Sequence, residues 1–88
     1  MKVIFLGKFS RDLDDLKDND LKDGVRDAIE FLERASTLKE IPNVKKMTGF
    51  KDAFRIRIGD YRLGFYYRDG ELHIARFLHR SKIYRVFP

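Results

Sequence analysis

The chain of 88 residues has no cysteine and no tryptophan, only two prolines, and no long apolar run. Without cysteine, neither a disulfide nor a thiolate zinc site can form. Without a run of about 18 apolar residues, no membrane-crossing helix is expected. The apolar stretch Val3 to Leu6, behind a single lysine, is too short for a secretory signal. The acidic stretch Asp12 to Asp23 fails as a calcium loop. With Gly24 as the loop glycine, Leu21 falls where an acidic or amide ligand belongs. The expectation is one cytoplasmic domain over residues 1–88, with no metal, no cofactor and no membrane partner. A chain this short buries only about 60–65% of its unfolded surface, so its stability should be modest.

What is abundant is positive charge, and it is unevenly placed. Residues 1–44 carry 8 Lys/Arg against 10 Asp/Glu, whereas residues 45–88 carry 11 against 4. A basic half on a small domain suggests a polyanion partner, either nucleic acid or an acidic protein.

Hydrophobic spacing sketches the elements. Lys2 to Leu6 is β-branched and apolar and reads as a short strand. Ser10 reads as a helix N-cap, with Asp12 in the first turn and Phe9, Leu13 and Leu16 on one stripe. Asn19-Asp20 caps a second helix, in which Leu21, Val25, Ala28, Ile29 and Leu32 share a face. Lys39 to Asp52, with Pro42, Asn43 and Gly49, reads as a long connection. From Phe54 the period becomes two: Phe54, Ile56 and Ile58 point one way, Arg55 and Arg57 the other. Gly59-Asp60 and Asp69-Gly70 are turn signals, so Phe54–Ile58, Tyr61–Arg68 and Glu71–Leu78 form a three-stranded meander. The fold class is α+β: a short N-terminal strand and a two-helix hairpin packed on a mainly antiparallel sheet.

Arg55 and Arg57 sit about 6.5–7 Å apart on one strand face, comparable with successive phosphates of single-stranded RNA. Arg62, on the next strand, can face the same groove. Guanidinium forks match phosphate geometry and stay charged when partly desolvated. The other reading is a solvated sheet face, where arginines only keep the sheet soluble. The tail His79-Arg80-Ser81-Lys82-Ile83-Tyr84 adds a group able to move protons near neutral pH, an arginine to stabilise charge, and a tyrosine to stack on a base.

The order of these pieces resembles the RelE/ParE superfamily of bacterial toxins from type II toxin–antitoxin systems. The resemblance rests on the basic strand Phe54-Arg55-Ile56-Arg57, the turn and strand Gly59-Asp60-Tyr61-Arg62-Leu63, and the closing run His79-Arg80-Ser81-Lys82-Ile83-Tyr84. The preceding Lys45 to Phe50 is similar to the family's linker.

The resemblance implies a RelE-like domain that enters the ribosome and cuts mRNA, by attack of the messenger's 2′-hydroxyl on the adjacent phosphate. It also implies a cognate antitoxin protein as partner, in a toxin–antitoxin hetero-oligomer. By position, Arg57, Arg62, His79, Arg80 and Tyr84 would form the catalytic set, and Arg55, Lys51 and Lys82 would bind substrate. Some members carry lysine on the first basic strand, where this chain has arginine. Arginine does not give up its proton at ordinary pH, so His79 becomes the expected proton-transfer group. The alternatives are a ParE-like poison of DNA gyrase and a non-catalytic RNA- or protein-binding module.

Overall fold

The computed structural model describes residues 1–88. Its elements are β1 (Lys2–Phe5), α1 (Gly7–Asp15), α2 (Asn19–Arg34), a 3-10 turn (Leu38–Glu40), β2 (Val44–Lys46), β3 (Ala53–Ile58), β4 (Tyr61–Arg68), β5 (Glu71–His79) and the short α3 (Arg80–Ile83). The five strands form one sheet in the order β1-β5-β4-β3-β2. β1 runs parallel to β5, and every other pair is antiparallel. This is the expected α+β arrangement, with the three-stranded meander at its centre. No helix is long and apolar enough to cross a membrane.

Both helices cover one face of the sheet. Phe9, Leu16, Val25 and Leu32 meet Ile56, Leu63, Phe65, Leu72, Ile74 and Phe77 there in one buried cluster. Each large apolar side chain buried in this way contributes roughly 1.5–3 kcal/mol. Gly24 lies within α2 where the helix comes down on β3: a β-carbon there would stand 3.0 Å from Ile58 Cγ2. The meander turns follow their sequences. Asp69 and Gly70 both adopt positive φ, 52° and 75°, as a two-residue hairpin that matches strand twist requires.

Four local expectations are corrected. Helix α1 begins at Gly7 after Leu6, and Ser10 lies inside its first turn rather than capping it. The cap of α2 is Asp18, whose carboxylate accepts from the backbone N–H of Asp20 (2.9 Å) and Leu21 (3.2 Å). Asp12 does not serve the α1 dipole. Its carboxylate accepts from Arg76 Nε (2.9 Å), Arg76 Nη2 (3.1 Å) and the Phe77 backbone N–H (2.9 Å). β1 pairs with β5 only as far as Ile74, so beyond that point Asp12 supplies the acceptor that the β5 edge would otherwise lack. Finally, the connection Lys39 to Asp52 holds the strand β2, whose Val44, Lys45 and Lys46 pair with Ile56, Arg55 and Phe54.

The second face of the sheet has no helix layer. Part of it is covered by the tail, which folds back so that Ile83 and Phe87 pack on Ala53 and Ala75. The Phe87 ring stands 5.2 Å from that of Tyr66. At Gly64 the fit is close, since a β-carbon would lie 2.7 Å from Phe87 Cδ2. Small residues on three neighbouring strands thus form the trough that receives the tail.

Candidate functional site

The rest of that second face is basic. In an antiparallel pair, residues opposite one another project to the same side. Lys45 lies opposite Arg55, Arg55 opposite Gly64, and Arg57 opposite Arg62. Lys45, Arg55, Arg57 and Arg62 therefore share the face away from the helices, as Ile56 and Leu63 share the buried one. Arg57 and Lys45 are exposed, and Arg55 is half-buried.

A cleft of about 250 Å³ opens here, lined by Lys45, Lys46, Met47, Thr48, Arg55 and Tyr84. Tyr84 reaches it because Ile83 is anchored beneath the tail, and the residue remains 52% exposed. That leaves an aromatic surface free beside the basic row. A larger hollow of about 610 Å³ lies on the helix side, above Phe5, Phe9, Leu13 and Ile29. The arginine row lies on the opposite side of the sheet, and no cluster of His, Cys, Asp or Glu suited to a metal occurs anywhere.

The remaining expected site residues are dispersed. Arg62 braces the β3–β4 turn, with Nη1 donating to Gly59 O (3.0 Å) and Tyr61 O (2.9 Å). Its Nε is buried without a partner. Arg80 leaves the sheet at that same turn, where its backbone N–H donates to Asp60 O (2.8 Å), and its side chain is exposed. Lys82 is exposed on α3, and Lys51 is exposed in the β2–β3 connection.

His79 is where the structure departs from expectation. It pairs with Tyr61, which stacks on buried Phe77 at 5.1 Å, and its ring meets the Tyr61 ring edge-on at 5.5 Å. It therefore belongs to the helix-covered side of the sheet, opposite the arginines. Its Nδ1 accepts from the Ser81 backbone N–H (3.1 Å) and lies 2.9 Å from Ser81 Oγ, which makes it the N-cap of α3. The count of strand residues from Arg62–Leu78 to Tyr61–His79 decides this, and the sequence motif alone conceals it.

The residue overlooked was Lys45. Its strand is three residues long and follows Pro42-Asn43, with Asn43 at φ 62°. The one available signal was the adjacent pair Lys45-Lys46 behind a β-branched valine.

Fold and site together define a small α+β domain with one helix-covered face and one basic face flanked by an aromatic tail. The family model of the ParE toxin of type II toxin–antitoxin systems, parDE, matches residues 3–84. Toxin RelE3 of Methanocaldococcus jannaschii is 32% identical over 89 residues, covering 100% of both chains. Among solved structures, the RelB–RelE antitoxin–toxin complex of Methanococcus jannaschii matches with a TM-score of 0.82 at 28% identity, covering 97% of this chain and 99% of that one. The RelBE2 toxin–antitoxin complex of Mycobacterium tuberculosis matches with a TM-score of 0.68 at 28% identity, covering 90% and 96%. The chain belongs to the RelE/ParE family and is a RelE-like toxin of a type II toxin–antitoxin system.

Proposed function

We propose that this toxin is an endoribonuclease that cuts mRNA on the ribosome and so stops translation. The observation that carries the reading is the shared face of Lys45, Arg55 and Arg57 beside the open Tyr84 ring. Cleavage by the RNA's own 2′-hydroxyl needs no cofactor. It needs the chain positioned and the charge of the five-coordinate phosphorus neutralised. Arg55 and Arg57 are spaced for successive phosphates, and Tyr84 offers a stacking surface for a base. Arg80, Lys51 and Lys82 extend the basic rim. Arg62 orders the turn and adds charge from the side. His79 holds the tail in place and takes no part in proton transfer.

RelE of M. jannaschii occurs in a complex with RelB. By that likeness, a cognate antitoxin holds this toxin inactive as a hetero-oligomer. The test is incubation of the toxin with mRNA-programmed ribosomes and with free mRNA. The expected result is ribosome-dependent scission that leaves a 2′,3′-cyclic phosphate or 3′-phosphate and a 5′-hydroxyl. The match to the ParE toxin family keeps a ParE-like poison of DNA gyrase as the second reading. Intact mRNA together with blocked supercoiling by gyrase would establish that reading instead.

A further inference from the structure

Resting on the nuclease reading, we infer that the Lys45 ammonium is the general acid, delivering a proton to the 5′-oxygen as the RNA backbone breaks. The chemistry requires such a group. The 2′-oxygen forms a bond to phosphorus and its proton goes to water. The phosphorus–O5′ bond then breaks, and the departing oxygen must take up a proton as it leaves with the electron pair. Arginine holds its protons too tightly to serve, and β3 offers only arginines. His79 faces the other side of the sheet with Tyr61.

Lys45 meets the requirement by position. It stands directly opposite Arg55 on the edge strand β2, with the two Cα atoms about 4.5–5.5 Å apart. It lines the cleft that Arg55 and Tyr84 also line. The Lys45 side chain makes no hydrogen bond or ion pair within the protein, in contrast to that of Lys2, which pairs with Glu71. A phosphate held by Arg55 and a base stacked on Tyr84 put the scissile bond within reach of a flexible ammonium carrying three protons. A lysine ammonium is a donor of exchangeable protons, the kind of group a general acid needs. Afterwards the amine regains its proton from water.

The experiment is single-turnover cleavage of ribosome-bound mRNA by the wild type, Lys45→Arg and Lys45→Met. Each is assayed on an ordinary message and on one whose scissile 5′-oxygen is replaced by sulfur, a leaving group that departs without a proton. Both variants should cut the ordinary message about 100- to 10,000-fold more slowly. Both should cut the sulfur-containing message within a few-fold of the wild-type rate. Lys45→Arg keeps the charge, so its loss separates proton donation from phosphate binding. Lys45 is exposed, and unchanged melting temperatures would confirm intact folds. Equal slowing on both messages, or full activity in Lys45→Arg, overturns the assignment while the nuclease reading stands. A wild type that leaves the ordinary message uncut overturns the nuclease reading and the role of Lys45 with it.

Discussion

The Phe87 ring rests on the backbone of Gly64, so closely that a β-carbon at residue 64 would stand 2.7 Å from Phe87 Cδ2. This contact lies four residues beyond Ile83 and three beyond Tyr84, and it fixes the segment that brings Tyr84 to the basic cleft. Gly64→Ala is therefore expected to destabilise the domain by about 1–3 kcal/mol through overpacking. That corresponds to a melting temperature lower by roughly 4–8 °C per kcal/mol in a domain of this size. Gly64→Ala with Phe87→Leu should recover part of the loss. Thermal melts of Gly64→Ala, Phe87→Leu and the double variant check this, and an additive double variant would mean that the two residues do not share a contact.

A second expectation concerns the link between α1 and β5. Asp12 satisfies both Arg76 and the Phe77 N–H, and its hydrogen bonds hold the Arg76 guanidinium pKa above the ordinary value. The side chains are 9% and 19% exposed, so removal of one partner leaves the other nearly dry. Asp12→Ala should cost about 3 kcal/mol, and Asp12→Asn, which keeps an acceptor for the Phe77 N–H, should cost less. Urea unfolding of both variants measures the difference. Equal stability in Asp12→Ala and the wild type would show that the pair contributes nothing.

The third concerns acid. The hydrogen bond from Arg68 Nε holds the Asp52 carboxyl below its ordinary value of 3.8. A depressed carboxylate stabilises the fold above its unfolded pKa, and the contribution is lost as pH falls through the folded one. The pair's stabilisation should thus be complete above about pH 5, begin to fall as pH drops past 3.8, and vanish only below the lower folded-state value. Asp52→Asn should match the wild type at the lowest pH and fall below it above pH 5. Urea midpoints across pH 2–6 test this, and a constant difference at all pH values would contradict it.

The sequence disclosed the meander because its signals are local. Alternation from Phe54 to Ile58 and the Asp69-Gly70 turn each depend on neighbours within a few residues. β1 was recognisable as a strand, but its parallel place beside β5 arises from contacts some seventy residues apart. β2 escaped because three residues cannot display a period. The arginine row was legible from the same alternation. The Gly59-Asp60 turn sets Arg62 opposite Arg57, whereas the Asp69-Gly70 hairpin and the register shift between Gly64 and Phe65 set His79 opposite Tyr61, so a motif that places His79 beside Arg80 in sequence says nothing of the side on which it emerges. Tyr84 was singled out by the tail motif, yet its position depends on Ile83 and Phe87 filling a trough made of Ala53, Gly64 and Ala75, whose smallness has meaning only once the strands are aligned.

The fourth expectation follows from that geometry. His79 caps α3 through Nδ1 and faces Tyr61. Asparagine is a competent cap, so His79→Asn should cleave RNA within a few-fold of the wild type. His79→Ala should lose about 1 kcal/mol of local stability in the tail. Rates and melts on the two variants distinguish the roles. A loss of 100-fold or more in a stably folded His79→Asn would return proton transfer to His79.

The central claim is that the face opposite the helices grips and cuts RNA. Its most direct test is single-turnover cleavage of ribosome-bound mRNA by Arg57→Ala beside the wild type. Arg57 is exposed and contributes nothing to either buried cluster, so the variant should melt with the wild type. Loss of one charged contact to the transition state should slow cleavage by 100- to 1,000-fold, about 3–4 kcal/mol. Wild-type cleavage by a folded Arg57→Ala would contradict the account.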